Sequence, residues 1–229
     1  MIESINNEKI KKYTKLKDKK YREETGLFII EGEHLVSEAR NKLQIIDEFI
    51  LGENVSYNVM KKLTSLTNVP KYLAIAKKQV EKDINGNILI LDNIQDPGNL
   101  GTIIRSCVAF GIDTIVASKE TVDVYNSKVI RASEGAIFNL NYIIRDLSEF
   151  LSMIKNKYTI YTTNVLTGTN LKDIKIKEPF AIIMGNEGNG VRDEISNYAT
   201  DTIYIPISNK MESLNVGVAT SIILYEFSK

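Results

Sequence analysis

Three polar loops carry the side chains of this sequence that could bind and orient a ligand. They are residues 92–101 with the helix that follows, residues 185–190, which read GNEGNG, and residues 205–216. The candidate site residues on them are Asn99, Arg105, Glu187, Ser213 and Asn215. Their carboxamide, guanidinium, carboxylate and hydroxyl groups are strong hydrogen-bonding groups, and glycines let a backbone approach a ligand closely. The three loops therefore predict one binding site if the fold brings them together.

Composition excludes several other kinds of site. The chain has one cysteine, Cys107, and one histidine, His34, which excludes an internal disulfide and a cysteine-rich metal site and argues against a zinc enzyme or a histidine-based catalytic triad. The G-x-x-G-x-G spacing of residues 185–190 matches neither the dinucleotide fingerprint nor a P-loop. We therefore expect no bound metal and no nicotinamide-dependent dehydrogenase.

Structural roles compete with ligand binding at the same positions. Asn99 is predicted to cap a helix whose buried apolar stripe runs from Leu100 to Val108. Arg105 lies about 140° around that helix from Leu100, so it faces solvent, a partner subunit or a ligand. The GNEGNG segment could form a simple tight turn, although packing gives no reason for Glu187 there.

Short apolar runs separated by helical stretches begin at residue 88, which is typical of a mostly parallel α/β sheet. The predicted strands are Ile88–Leu91, Thr114–Ala117, Tyr158–Tyr161, Phe180–Met184 and Thr202–Ile207. A largely buried helix is predicted to begin at Ser213 or Asn215 and to end near Phe227. Each polar loop follows a strand, and ligands of such sheets bind beyond the carboxyl ends of the strands.

The first part of the chain has a different pattern. Apolar runs at residues 27–30, 45–51 and 72–76 predict a small α/β fold, and the polar stretch that follows predicts a boundary. We therefore expect domains at residues 1–83 and 84–229. Eight basic residues and one acidic residue lie between Lys9 and Arg22, which favours contact with a phosphate backbone, although a solvated helix face fits equally well.

The whole chain has the composition of a globular protein. It has 229 residues, of which 43% are hydrophobic and 25% charged, with a formal net charge of zero. Local rather than global charge thus points to nucleic acid. The chain has no apolar run of membrane-spanning length and its N-terminus is charged, so we expect no membrane span, no signal peptide and a cytoplasmic location.

Three motifs in this order resemble those of the SpoU (TrmH-type) family of RNA ribose 2′-O-methyltransferases, part of the SPOUT superfamily. The matching segments are residues 96–105, residues 183–190, and residues 205–206 with 213–219. Residues 127–136 also fit the family, and residues 28–32 resemble part of the ribosomal-protein-like domain that many members use to hold RNA.

The resemblance implies an α/β fold, with a small α/β RNA-binding domain before an α/β trefoil-knot methyltransferase domain that forms a homodimer. It implies S-adenosylmethionine as the cofactor, held around Gly185, Ile205 and Leu214, with Thr162 and Thr163 as further candidates. It also implies that Arg105 reaches the cofactor pocket of the partner subunit.

The implied reaction is methylation of a ribose 2′-hydroxyl in structured RNA, with large-subunit ribosomal RNA as the expected substrate. The implied catalytic residues are Asn99, Arg105, Glu187, Ser213 and Asn215. A free guanidinium stays protonated at neutral pH, so we favour Arg105 as a ligand of the target phosphate rather than as a base. RNA contacts are expected at Lys11, Lys12, Lys15, Lys19, Arg22 and Arg131. Transfer RNA as the substrate, and a catalytically silent RNA-binding assembly factor, are the alternatives.

Overall fold

The computed structural model describes all 229 residues, and internal contacts divide them into two compact units. Unit 1 comprises Met1–Val80 and Asp123–Phe138, and unit 2 comprises Glu81–Val122 and Asn139–Lys229. The chain therefore enters unit 1 twice. The domain boundary between residues 83 and 84 stays a prediction, and no sequence pattern indicated that residues 123–138 pack with the first part of the chain.

The chain forms nine α-helices and ten strands, with three short 3₁₀ helices between them. The α-helices are α1 (Glu8–Thr14), α2 (Lys19–Thr25), α3 (Glu33–Arg40), α4 (Tyr57–Leu63), α5 (Pro97–Ala109), α6 (Ser127–Ala132), α7 (Leu147–Ile154), α8 (Asp193–Ser196) and α9 (Val216–Phe227). The strands are β1 (Leu27–Glu31), β2 (Ile45–Ile50), β3 (Tyr72–Lys77), β4 (Ile88–Leu91), β5 (Thr114–Ala117), β6 (Asn141–Ile144), β7 (Thr159–Thr163), β8 (Thr169–Asn170), β9 (Phe180–Met184) and β10 (Asp201–Tyr204). None of the helices combines the length and the apolar character that crossing a membrane requires.

Unit 1 is built on an antiparallel sheet of three strands in the order β1-β3-β2. Its core lies between this sheet and helices α1 and α4. Ile10 and Leu16 pack there with Met60 of α4 and with Leu73 and Ile75 of β3. The three strands predicted in this part of the chain are confirmed. Strands β1 and β3 are short apolar runs that bury most of their side chains, whereas β2 buries only Phe49.

Unit 2 is built on a parallel sheet of seven strands in the order β6-β5-β4-β9-β7-β10-β8. The central strands β4 and β9 are adjacent, with Leu91 opposite Met184, so their carboxyl ends finish side by side. All residues of β4, β5 and β9 are buried. The predicted bounds of these three strands are confirmed, because a strand covered on both faces is a continuous apolar run.

Two predicted strands in unit 2 have other bounds than expected. The strand predicted at Tyr158–Tyr161 spans Thr159–Thr163. The strand predicted to end at Ile207 ends at Tyr204, and Pro206, which has no N–H group, lies just beyond it. Strands β6 and β8, which have four and two residues, were not predicted. Such short segments carry little periodicity.

Helices α5 and α9 pack against each other, and each leaves apolar side chains exposed on its outer face. Leu100 and Cys107 of the predicted α5 stripe are buried, but Val108 is 38% exposed. In α9, Val218, Ile222 and Tyr225 are exposed within the single chain. The prediction that α9 is buried on most sides is therefore wrong for one face of this helix.

Candidate functional site

The loop after β9 is closed by backbone hydrogen bonds, and its glycines differ in whether the backbone requires them. The backbones of Asn186 and Gly190 exchange two hydrogen bonds, of 2.9 and 3.0 Å. A Cβ at Gly185 would lie 2.1 Å from the carbonyl carbon of Gly190, and Gly190 itself has φ +71°. Both positions therefore require glycine. Gly188 has neither constraint, because a Cβ there would meet only Oδ1 of Asn186, at an ordinary contact distance of 3.6 Å.

The loop after β4 ends in the N-terminus of α5, and the capping residue differs from the predicted one. Asp96 is the N-cap, and its Oδ1 accepts a hydrogen bond of 2.8 Å from the backbone N–H of Asn99. Pro97 occupies the first helical position, where its missing N–H group costs nothing. The prediction that Asn99 caps the helix is therefore wrong, and its carboxamide is available for other contacts.

A chain of hydrogen bonds joins the three polar loops through that carboxamide. The Nδ2 group of Asn215 donates to Oδ1 of Asn99 over 2.8 Å, and Nδ2 of Asn99 donates to Oε1 of Glu187 over 3.1 Å. Asn215 is also the N-cap of α9 and accepts from the backbone N–H groups of Gly217 and Val218. The three loops thus form one site, and the orientation of each amide is set by its neighbours.

Glu187 is the anionic centre of this chain of hydrogen bonds. Partial burial raises the pKa of its carboxyl group, but hydrogen bonds from Asn99 and from backbone N–H groups, including those of Asp96 and Gln95, outweigh burial and hold the pKa below its usual value. Glu187 is therefore a carboxylate at neutral pH. It can order the loops and face a cationic or hydroxyl group, but it is not poised as a general acid.

A cavity of about 510 Å³ opens beside these loops at the carboxyl ends of β7, β9 and β10. Its volume lies within the range of sites for drug-sized ligands. The five residues assigned to the cofactor all line it, namely Thr162, Thr163, Gly185, Ile205 and Leu214. Glu187 and Ser213 line it as well. Asn99 and Asn215 do not, but they are joined to the cavity wall through Glu187.

The cavity wall contains a buried polar atom that the chain leaves without a partner. The hydroxyl of Thr162 is buried and forms no hydrogen bond, whereas the hydroxyl of Thr163 donates to the carbonyl of Ile183 over 3.0 Å. Buried polar groups usually have a partner, so the Thr162 hydroxyl fits a ligand with hydrogen-bonding groups. Ile205 and Leu214 add apolar side chains to the lining of the cavity.

Arg105 lies outside the cavity of its own chain. It is exposed on α5 and makes no hydrogen bond or ion pair. Its predicted position off the buried stripe is confirmed. Nothing within the chain uses this guanidinium.

A buried ion pair beside the site was not predicted from the sequence. It joins Asp92, directly after β4, to Arg192, directly before α8. Asp92 is fully buried and is bonded to the backbone and side chain of Arg192. An aspartate immediately after a buried strand was the available signal, but its partner is 100 residues away in the sequence.

The basic run in unit 1 does not fit a uniform RNA-binding surface. Arg22 is only 5% exposed, and its guanidinium donates to Asp123 and to the carbonyl oxygens of Leu16 and Lys17. These contacts occupy its donors inside unit 1. They argue against the RNA contact predicted for Arg22, because its guanidinium already joins residues of unit 1.

The other predicted RNA contacts of unit 1 differ in their partners. Lys11 pairs with Glu8, and Lys19 pairs with Glu23. Arg131 donates to the buried carboxylate of Glu31 over 3.1 Å and remains partly exposed. Lys12 forms no pair, and Lys15 lies over the Tyr21 ring at 5.2 Å. Lys12 and Lys15 are therefore the cations of this set that carry no acidic partner.

The fold and the site together define an α/β protein with a ligand cavity at the carboxyl edge of a parallel sheet, closed by three hydrogen-bonded loops. The sequence profile of the SpoU rRNA Methylase family matches residues 86–225, and that of the MRM3-like substrate binding domain matches residues 7–82. The chain belongs to the SpoU rRNA Methylase family.

Relatives match the chain over almost its whole length. It is 33% identical over 241 residues to the 23S rRNA (guanosine(2553)-2′-O)-methyltransferase RlmP of Bacillus subtilis, covering 98% of this chain and 97% of that protein. A TrmH-family structure from Porphyromonas gingivalis superposes with a TM-score of 0.90 at 27% identity, covering 98% of both chains. The AdoMet-bound rRNA methyltransferase of Sinorhizobium meliloti gives 0.88 at 26% identity, covering 98% and 95%.

Proposed function

We propose that this protein is an S-adenosylmethionine-dependent methyltransferase that modifies a ribose 2′-hydroxyl of large-subunit ribosomal RNA. The observation that carries this proposal is the hydrogen-bonded chain Asn215–Asn99–Glu187, which joins all three family motifs at the wall of one cavity. Membership of the SpoU family and the full-length similarity to RlmP support the reaction and the substrate class. Since ribosomal RNA is the substrate, the proposal also places the protein in the cytoplasm.

The cavity residues fit S-adenosylmethionine, and the AdoMet-bound relative supports this choice. Thr162 would contribute its unpaired hydroxyl, Gly185 its close backbone, and Ile205 and Leu214 the apolar walls. When bound, this cofactor supplies an electrophilic methyl group on a sulfonium. The Glu187 carboxylate, held in its charged form, complements a positive charge at this wall.

The remaining work of the site is to position the sugar hydroxyl. The Ser213 hydroxyl lines the cavity and can donate to or accept from the ribose. Asn99 and Asn215 hold their amides in fixed orientations, which keeps the loops from adjusting during the reaction. Arg105 offers a planar guanidinium with no competing partner, which suits two-point binding of the target phosphate.

In a homodimer, the Arg105 guanidinium would have a target on the partner subunit. Val218, Ile222 and Tyr225 lie at positions i, i+4 and i+7 of α9 and are exposed, as is Val108 on the neighbouring α5. Such a helix face is suited to packing against a second copy of the chain. Arg105 lies on the exposed side of α5, so the partner's cavity is its proposed target.

The dimer is tested by light scattering after size-exclusion chromatography. Wild type should have twice the chain mass, and Ile222→Lys should shift the population to monomer. Met153→Lys is the matched control, because Met153 is also an exposed apolar helix residue but lies on α7. A wild-type monomer at micromolar concentration would contradict the dimer.

The decisive experiment for the function is mapping of ribose methylation in cellular RNA. Strains lacking the gene, or carrying wild type or Arg105→Ala, are compared across ribosomal and transfer RNA. We expect one 2′-O-methyl group of large-subunit ribosomal RNA to disappear in the deletion and in Arg105→Ala. The nucleotide that RlmP's name assigns, guanosine 2553 of 23S rRNA, is the first position to test.

The two alternatives give different results in the same experiment. A methyl group lost from transfer RNA would assign that substrate instead. No loss at any position, together with no binding of S-adenosylhomocysteine to the purified protein, would favour the silent RNA-binding assembly factor.

A further inference from the structure

The loop that faces the proposed cofactor has its two ends anchored in different ways. At its start, Met184 of β9 is paired with Leu91 of β4 in the parallel sheet. At its end there is no strand, and the chain passes from Val191 through Arg192 into α8. Residues 185–191 line the cavity throughout. The position of this cavity wall therefore depends on what holds its second end.

Asp92 supplies that second anchor. Its carboxylate is 0% exposed, and Oδ2 accepts the backbone N–H of Arg192 over 2.9 Å. Oδ1 accepts from Nε of Arg192 over 2.9 Å and lies 2.8 Å from Nη2. One residue thus provides both the backbone donor and the counter-charge of a fully buried carboxylate. A buried charge with a single partner is sensitive to the loss of that partner.

Neither member of this pair lies on the cavity wall. Val191 and Asp193 line the cavity, but Arg192 between them does not, and neither does Asp92. The Arg192 side chain points away towards Asp92 and Glu194, and it is 42% exposed. Any effect of the pair on the ligand must therefore pass through the backbone of residues 185–191.

We propose that Asp92 and Arg192 are positioning residues that set cofactor affinity by holding the second end of the 185–191 loop. The proposal rests on the proposed function, because it assigns the cavity ligand as S-adenosylmethionine. Asn186 and Glu187 tie the middle of the same loop to the segment after Asp92, through Nδ2 of Asn186 to the carbonyl of Asn93 and through Gln95 N–H to Glu187. Without the Asp92–Arg192 pair, these bonds hold only the middle of the loop, and its second end is free to move.

The test is calorimetric titration of the full chain with S-adenosylhomocysteine, together with steady-state kinetics. Arg192→Ala should weaken binding about tenfold and raise KM for the cofactor, while kcat at saturating cofactor and KM for RNA stay unchanged. Arg192→Lys should restore part of the affinity, because it returns the positive charge without the two-point bond. Glu194→Gln is the matched control, since it removes the exposed partner of Arg192 and should leave affinity unchanged.

Two results would overturn the proposal in distinguishable ways. If wild type does not bind S-adenosylhomocysteine, both the proposed function and this role fail. If wild type binds S-adenosylhomocysteine and both Arg192→Ala and Arg192→Lys bind it with the wild-type affinity, the proposed function stands and the pair has only a structural role. This holds whatever the melting temperatures of the two variants.

Discussion

The basic run of unit 1 and the single arginine of α5 use their charges in opposite ways. In the run, Lys11, Lys19 and Arg22 each meet an acidic side chain of unit 1. Arg105 in unit 2 meets none. A dense run of charge thus contains many cations that the fold already uses, whereas an isolated cation on an apolar helix has no partner within the chain. Pairing, more than charge density, indicates which cations are available to a ligand.

The largest effect should follow from breaking the buried pair at Arg22. Arg22→Ala leaves Asp123, which is 10% exposed, without its counter-charge, and should lower the free energy of unfolding by about 3–5 kcal/mol. Urea denaturation measures this change. Lys20→Ala is the control, because the exposed pair of Lys20 with Glu24 should contribute less than about 1 kcal/mol. Unchanged stability with weakened RNA binding would return Arg22 to the RNA-binding surface.

Arg105→Ala should affect catalysis and leave stability unchanged. Loss of a positioning contact to the substrate can cost about 100-fold in rate, measured as single-turnover methyl transfer with saturating RNA. Arg145→Ala is the matched control, since Arg145 is an exposed arginine of unit 2 that pairs with Glu81. If Arg105→Lys kept the wild-type rate, two-point phosphate binding by Arg105 would be excluded.

Within the basic run, the lysines without acidic partners should matter most for RNA. The double variant Lys12→Gln/Lys15→Gln should reduce the slope of log K against log salt by about one per lysine. Lys19→Gln/Lys20→Gln should reduce it less, because these lysines already pair with Glu23 and Glu24. Filter binding across a salt series measures both slopes, and equal reductions would show that internal pairing does not decide RNA contact.

The smallest effect that we expect is the pH dependence of the stability contributed by Glu187. Its carboxylate accepts hydrogen bonds from donors within the chain. Its folded-state pKa is lowered, so its stabilising contribution is present above the unfolded pKa of about 4.3 and is lost as pH falls through the lowered value. The stability difference between wild type and Glu187→Gln, measured as a shift of the urea midpoint, should therefore stay about constant between pH 6 and 8 and shrink under acid conditions. A difference that grew on acidification would contradict the lowered pKa.

Sequence patterns predicted the elements of unit 2 that are buried on both faces. Strands β4, β5 and β9 begin and end where the apolar runs do, because burial of a whole strand leaves a continuous signal in the chain. The helix after residue 96 and the side of α5 that carries Arg105 were also predictable, since both follow from local periodicity.

Local patterns failed where two equivalent groups compete for one position. Asp96 and Asn99 are both good capping residues, and the choice between them depended on Pro97 and on the bond that Asn99 makes to Glu187. The prediction for the apolar face of α9 was wrong for a related reason. In the sequence, an apolar side chain is equally consistent with a buried core and with an exposed docking face.

The three motifs and their order in the sequence indicated the family and the loops that carry the site, and the alternation of apolar runs with helical stretches indicated the parallel sheet. The partners of Glu187, Asp92 and Arg22 were set by tertiary structure, because each lies 88 to 101 residues away along the chain. Hydrogen bonds and buried ion pairs act over about 3 Å and need a defined direction. Residue types can therefore predict a site, but the tertiary structure decides which of its charged groups are paired within the chain and which remain available to a ligand.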